Sequence, residues 1–470
     1  MKAKQFSLFL FIAGFVFTTF LSCDKDEPLP LADADEHLSG GANGSTSVLG
    51  DEAFGTEVKN LTTDEQNAFV VGNSLFRSNW VIAPSSVQSL DGVGPILNAI
   101  SCGSCHFKDG RAKPPASPTE ALNGLLFRLS IDGFDAHGAP LPEPNYGGQL
   151  QDKAIMGVEP EAQVKVSYEE ITGNYADGTP YSLRRPVYEF YNLKYGALHP
   201  SVKYSPRIAQ QVMGLGLLEN VAESEILSIA DENDANKDGI SGKANRVWDA
   251  SQQKIVIGRF GWKANEPTVR QQTAGAFNGD MGITSSIFPN DHLTPIQQQL
   301  YANVPNGGTP ELTDEQLRKI TTYIQSLAVP IRRNVNTPSV IQGKNLFIQL
   351  NCQSCHRLEM TTSNLSAIAA LNNQKIRPYT DLLLHDMGND LADNRPDFLA
   401  TGTEWRTPPL WGIGLIKSVN KHTFLLHDGR ARNIEEAILW HGGEGEKSKN
   451  EFKKLSKTER DAVIAFLESL

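Results

Sequence analysis

Cysteine is scarce, at 5 of 470 residues. Four of the five fall in two close pairs and the fifth lies near the start, so none is left for a structural disulfide. Histidine is also rare, at 10 residues. The chain has no basic patch and carries a net charge of −11, which disfavours nucleic acid as a partner. The apolar run near its start, Phe6 to Leu21, has about 16 residues where a membrane span needs roughly 20.

The scarce residues are concentrated. Cys102-Gly-Ser-Cys105-His106 and Cys352-Gln-Ser-Cys355-His356 both read Cys-x-x-Cys-His, the attachment pattern of a c-type haem. Two thiols three positions apart each reach a haem vinyl group, and the imidazole that follows sits under the iron. The alternatives are a four-thiolate zinc site or a redox-active thiol pair. Neither needs a His directly after each pair, and with so few histidines the chance of two such placements is on the order of 1 in 2,000. The motifs therefore predict two covalently bound haems, with Cys102, Cys105, His106, Cys352, Cys355 and His356 as cofactor-binding residues and His106 and His356 on iron.

The amino terminus reads as an export signal. Lys2 and Lys4 precede the apolar run, which ends in Phe20-Leu21-Ser22-Cys23, the layout of a secretory signal peptide. A small residue followed by Cys resembles a bacterial lipoprotein cleavage site, which would make Cys23 the lipidated first residue, anchored to a membrane without spanning it. A signal cut elsewhere, leaving Cys23 free, is the alternative. Export would place the protein in the cell envelope, facing the periplasm. The acidic Gly- and Ser-rich stretch that follows is expected to be a flexible tether over 23–60.

Beyond it the chain repeats itself. Gly72-Asn-Ser-Leu75-Phe76 parallels Gly343-Lys-Asn-Leu346-Phe347, and Leu312-Thr313-Asp314-Glu315-Gln316 parallels Leu455-Ser456-Lys457-Thr458-Glu459. Thr313 with Gln316, and Ser456 with Glu459, read as capping boxes at the starts of helices with one apolar face. The surplus of the first half, between His106 and Leu312, is rich in Pro and Gly. Its pattern predicts a hairpin over Val164 to Phe190, turning at Asp177-Gly178-Thr179-Pro180. Asp234-Ala-Asn236-Lys-Asp238-Gly239-Ile240 resembles the first half of a calcium loop, with Asn245 where the bidentate Glu would stand. The alternative is an Asx-rich turn without metal.

The order in each half, Gly-x-x-Leu-Phe, then the haem motif, then a capped helix, resembles a cytochrome c domain. Gly94-Pro-Ile-Leu-Asn-Ala99, Gly258-Arg-Phe-Gly-Trp262-Lys-Ala264, Leu382-Leu-Leu-His385-Asp-Met387-Gly388 and Glu404-Trp-Arg-Thr-Pro-Pro-Leu410 resemble the bacterial di-haem oxidoreductases described as putative peroxidases, relatives of the di-haem cytochrome c peroxidases. The resemblance implies a mainly α fold of tandem cytochrome c domains, the first enlarged by loops and β-hairpins. Its divisions would be a lipoprotein signal peptide over 1–22, the tether over 23–60, an amino-terminal haem domain over 61–335 and a carboxy-terminal one over 336–470.

The resemblance also implies a division of labour. Electrons from a small redox protein or quinol-linked donor would pass through the second haem to the first, where peroxide or another small oxidant is reduced. A pure electron-transfer cytochrome is the alternative. The segment His427-Asp-Gly-Arg430 to His441 is similar to the peroxidase segment bearing the sixth ligand of the carboxy-terminal haem, which implies His441 on that iron, with Met387 as its rival. His427 and Arg430 are expected as structural or propionate contacts. For the first haem, Met156, Met213, Met281, His137, His199 and His292 remain open as sixth ligands. Gln149, Gln151 and Glu159 are the acid/base candidates, and one or more of Trp248, Trp262, Trp405, Trp411 and Trp440 would relay electrons.

Overall fold

The computed structural model describes residues 32–470; the signal segment and Cys23 lie outside them. Six helices carry the argument: α1 (Thr63–Arg77), α2 (Val269–Met281), α3 (Asp314–Gln325), α4 (Pro338–Gln349), α5 (Ile434–Leu439) and α6 (Lys457–Ser469). The capping boxes expected at Thr313 and Ser456 both form, and a third forms at Thr62 with Glu65. Each satisfies two amide donors that a bare helix start would leave orphaned.

The repeated glycines explain the helix pairing. α1 crosses α3 so closely that a Cβ on Gly72 would collide with the Lys319 carbonyl, and α4 crosses α6 so that one on Gly343 would collide with the carbonyl of Ala462. Only glycine allows backbones to approach in this way. Four residues on, each repeat places a phenylalanine on the motif histidine: Phe76 lies 6.1 Å from His106 and Phe347 lies 6.2 Å from His356, ring centre to ring centre. Tyr323 and Phe466 close the two clusters, at 5.5 Å from Phe76 and 5.2 Å from Phe347.

The expected mainly α tandem of cytochrome c domains is not what the rest of the chain forms. Helix accounts for 30% of the structure and strand for 18%, a mixed architecture. The reason lies in the long insertion, where helical periodicity gives way to alternating segments rich in aromatic and β-branched residues. β1 (Leu125–Ser130) pairs antiparallel with β4 (Lys203–Ile208). Between them in sequence, β2 (Gln163–Asn174) and β3 (Pro180–Tyr191) form the expected hairpin, with Gly178 in the turn at a left-handed φ of 84°. Phe127 of β1 meets Tyr188 and Phe190 of β3 at 5.0 and 5.2 Å, so the hairpin base lies over the sheet and encloses a second small core with Trp262 and Trp405.

The hairpin tip reaches the other half of the chain. Tyr175 donates to Glu435 of α5 at 2.6 Å, the Arg460 guanidinium covers the Tyr175 ring at 3.8 Å, and the Ala176 amide donates to the Lys453 carbonyl. The main core likewise runs through both halves, from Ala53 to Leu470.

The described part of the stretch expected to be a tether, residues 32–60, is packed instead. Ser45 and Thr46 pair in parallel with Val329 and Pro330, and buried Glu36 is ion-paired with Arg332 and, at 2.8 Å, with Lys344. A buried carboxylate needs such partners; Arg332 lies in the link between the halves and Lys344 in α4, and composition alone gives no sign of either.

Adding a methyl at either crossing forces the backbones apart. Gly72→Ala and Gly343→Ala should each lower stability by about 1–3 kcal/mol in chemical denaturation, whereas Gly148→Ala, whose Cβ would meet nothing within 4 Å, should be close to neutral.

Candidate functional site: two histidine-centred cavities

Each Cys-x-x-Cys-His turn opens into its own cavity. Cys102, Cys105 and His106 border one of about 440 Å³, and Cys352, Cys355 and His356 border one of about 190 Å³. The pairs are therefore separate and do not build a four-thiolate zinc site. Burial pushes the thiols of Cys102 and Cys352 up to about 12 and that of Cys105 to about 11.

The three imidazoles proposed for iron share one arrangement. His106 Nδ1 is 2.5 Å from the Gln210 carbonyl, His356 Nδ1 is 3.0 Å from that of Tyr379, and His441 Nδ1 is 2.7 Å from that of Ala437. Burial lowers all three pKa values, that of His356 to about 4. A neutral ring that donates through Nδ1 leaves the Nε2 lone pair for a metal.

The rings of His356 and His441 face across the second cavity with centres 6.4 Å apart. Two nitrogens each about 2 Å from one metal on opposite sides put ring centres roughly 6 Å apart, so this pair fits a six-coordinate haem iron. Met387 borders the same cavity.

The cavities share a wall of Gln210, Gln211, Trp262 and Arg406. The Trp262 indole donates to the Ile208 carbonyl at 2.9 Å, its own carbonyl accepts from the Arg406 amide at 2.9 Å, and Arg406 Nη2 donates to Gln210 Oε1 at 3.2 Å. The carbonyl that orients His106 thus belongs to a residue of the partition. Of the other tryptophans, Trp405 borders the second cavity and stacks on His427 at 3.9 Å, Trp440 lies under Arg430, Trp411 is wholly buried, and Trp248 stacks on His137.

The open candidates for the first iron separate clearly. Met281 and His292 border the first cavity, and both His292 ring nitrogens are buried without a protein partner. Met156 is 93% exposed, Met213 lies in the main core, and His199 caps Ser201.

Among the acid/base candidates, Gln149 borders this cavity, tied to Asn98 and Asp280 at 2.7 Å. Gln151 is held by the Gly279 carbonyl, and Glu159 is paired with Lys194 at the surface. The sequence reading missed Glu266. It borders the first cavity beside Arg128, and burial raises its carboxyl to about 7, against the opposing pull of Arg128 and of a hydrogen bond from Gln271. The one available signal was its place two residues past the Gly258–Ala264 motif.

His427 and Arg430 are buried, not surface turn residues. Arg430 pairs with Asp428 at 2.8 Å and donates to the Asp390 carbonyl, which locks the turn leading into α5. The loop that resembles a calcium site closes on itself as Asx turns: Asp234 accepts from the Gly239 amide, Asn236 from that of Asp238 and Asp238 from that of Ile240.

A tight charged group adjoins the second motif. His385 sits between Asp381 (Nε2, 2.8 Å) and Glu444 (Nδ1, 2.6 Å), with Cys355 Sγ at 3.5 Å. Burial opposes its protonation, but the two carboxylates hold the imidazole well above its ordinary value.

Two like cavities, each with a Cys-x-x-Cys-His turn and a metal-ready imidazole, joined by a wall containing a tryptophan, define a two-centre redox protein. The chain belongs to the family of di-haem oxidoreductases described as putative peroxidases, whose pattern matches residues 34–470. It is accordingly a haem-dependent oxidoreductase. No curated protein matches the sequence significantly. Among the described residues no helix is long and apolar enough to cross a membrane.

A histidine whose folded pKa is raised stabilises fully below its unfolded value, about 6.5, and that contribution is lost as pH rises through the folded value. The stability lost in His385→Gln should therefore be larger at pH 6 than at pH 9 in urea denaturation of the holoprotein. A loss that grows with pH would contradict the ion-pair assignment.

Proposed function

We propose that this chain is an exported, lipid-anchored di-haem c-type cytochrome that reduces peroxide at the first site with electrons relayed from the second. The observation that carries this reading is the asymmetry of two cavities built on one motif. In the second, His441 stands opposite His356 with ring centres 6.4 Å apart; in the first, the cavity that His106 borders is lined by Glu266, Gln149 and Arg128 together with His292 and Met281.

Cys102, Cys105, Cys352 and Cys355 would hold the haems by thioether bonds, His106 and His356 would be their proximal ligands, and His441 the sixth ligand of the second. When bound, the haems supply one-electron steps and an iron that engages the peroxide oxygen. The chain's own residues do the rest. The Gln210 and Tyr379 carbonyls fix the two imidazoles. Glu266, with a pKa near 7, is suited to take a proton from one peroxide oxygen and return it to the other. Arg128 offers a positive charge where the O–O bond is cleaved. Trp262, on both cavity walls, is the residue best placed to couple the sites. Two electrons and two protons convert hydrogen peroxide to two waters, the electrons coming from a small periplasmic redox protein or a quinol-linked donor.

Peroxide turnover with a reduced dye, begun from oxidised and from half-reduced protein, tests the proposal. Turnover should appear in at least one form and rise with pH through about 7. Glu266→Gln should lower it by about 10²–10⁴-fold and abolish that rise, with haem content by pyridine haemochrome unchanged at two per chain. No turnover from either form with intact haem content would overturn the reading in favour of a pure electron-transfer cytochrome. His441→Gly should convert the second site from low spin to high spin in EPR; a spectrum unchanged by that substitution would shift the sixth ligand to Met387.

A further inference from the structure

The two cavities differ in room as well as in ligands. The first measures about 440 Å³ and the second about 190 Å³, although the same five-residue motif opens each and the same prosthetic group is expected in both. Hydrogen peroxide is scarcely larger than water. A group that fits the smaller cavity leaves about 250 Å³ more room in the larger one.

The lining of that space is two-sided. Glu266, Gln149 and Arg128 supply polar groups, with Arg128 Nε buried and lacking a protein partner. Leu126, Phe260 and Phe288 supply apolar surface in the same cavity. An enclosure that offers apolar surface together with converging polar groups suits an organic molecule with one polar end. A surface groove of about 700 Å³ adjoins it and shares Asn98, Ala99, Cys105 and Gly124 with its wall. The rest of that groove is largely apolar and includes Val81, Ile82 and Ile100, each about two-fifths exposed.

We propose that the substrate of the first site is an organic hydroperoxide, ROOH, whose alkyl or aryl group occupies the apolar part of the cavity while its O–O group meets Glu266, Gln149 and Arg128. This rests on the peroxidase reading above and narrows its substrate class. The reaction balances as ROOH plus two electrons and two protons giving ROH and water. The O–O bond breaks, the distal oxygen leaves as water, the proximal oxygen is retained as the alcohol, and the donor that serves the second site supplies both electrons.

Helix α2 provides the means to test the space itself. Gly275 faces the cavity, has ordinary helical φ, and would place a Cβ 3.7 Å from Phe288 and 3.9 Å from Glu266. A larger side chain there enters the cavity without displacing backbone and improves helix propensity. Dye-coupled turnover of hydrogen peroxide, tert-butyl hydroperoxide and cumene hydroperoxide is compared for holoprotein and for Gly275→Leu. Binding of the product alcohol, cumyl alcohol, is followed separately as a Soret perturbation without turnover.

The expected result is a kcat/KM for cumene hydroperoxide at or above that for hydrogen peroxide. In Gly275→Leu the ratio of the two should fall at least tenfold, and cumyl alcohol should bind at least tenfold more weakly. Turnover of hydrogen peroxide alone, with cumyl alcohol spectrally silent, overturns the inference and leaves the peroxidase reading standing. Turnover of all three with a ratio unmoved by Gly275→Leu shows that the cavity is not the organic site and also overturns it. Turnover of none defeats the peroxidase reading itself. If Gly275→Leu does not accumulate, the wild-type substrate ratio together with the cumyl alcohol titration decides.

Discussion

The hydrogen bond from each motif histidine to a distant backbone carbonyl is the constraint on which both sites depend. A turn of Cys-x-x-Cys-His fixes where the imidazole begins but not how it is rotated. The Gln210 and Tyr379 carbonyls fix the rotation, since a neutral ring donating through Nδ1 must present Nε2 to the cavity. Gln210 follows β4 of the inserted sheet, and Tyr379 lies at a left-handed φ of 53° between short strands. Segments that flank strands thus carry the carbonyls that aim the metal-binding nitrogens.

One repeated scheme yields two different rooms because only its centre is repeated. The glycine crossings, the Phe on the histidine and the capped last helix recur with nearly the same spacing, 6.1 against 6.2 Å at the aromatic contact. The walls beyond them have separate origins. The second cavity is closed by the segment from the locked Asp428–Arg430 turn through α5 to His441. The first is closed by α2 and the Phe260–Glu266 turn, which belong to the insertion and have no counterpart in the second half. The proposed division of labour between the two sites would rest on this difference in enclosure, with the motifs themselves unchanged.

The parts of the molecule legible in the sequence were those governed by local rules. Capping boxes, the hairpin turn at Asp177-Gly178 and the Gly-x-x-Leu-Phe strings at Gly72 and Gly343 all declare themselves within a few residues, and the structure uses each of them. What was not legible depends on approach between distant segments. Glu266 has no motif of its own and acquires its raised pKa only through burial in a cavity whose walls come from distant segments, Arg128 among them, whose charge opposes the rise. Glu36 reads as one of a run of tether acids, and becomes structural only because Arg332 and Lys344 arrive beside it. The mainly α expectation failed for a related reason: helical periodicity is strong in α3 and α6 at the ends of the halves, and the alternating pattern between them carried less weight than the haem motifs that flank it.

The hairpin of β2 and β3 has a consequence for how the chain matures. Its base is part of the small core under β1, and its tip is fastened to Glu435, Lys453 and Arg460, more than 250 positions further on. The arm therefore cannot reach its final place until nearly the whole chain is available, and the same is true of Glu36, which waits for Arg332. Loop closures of this length slow folding. A chain halted before Glu435 would therefore leave the hairpin tip without any of these partners.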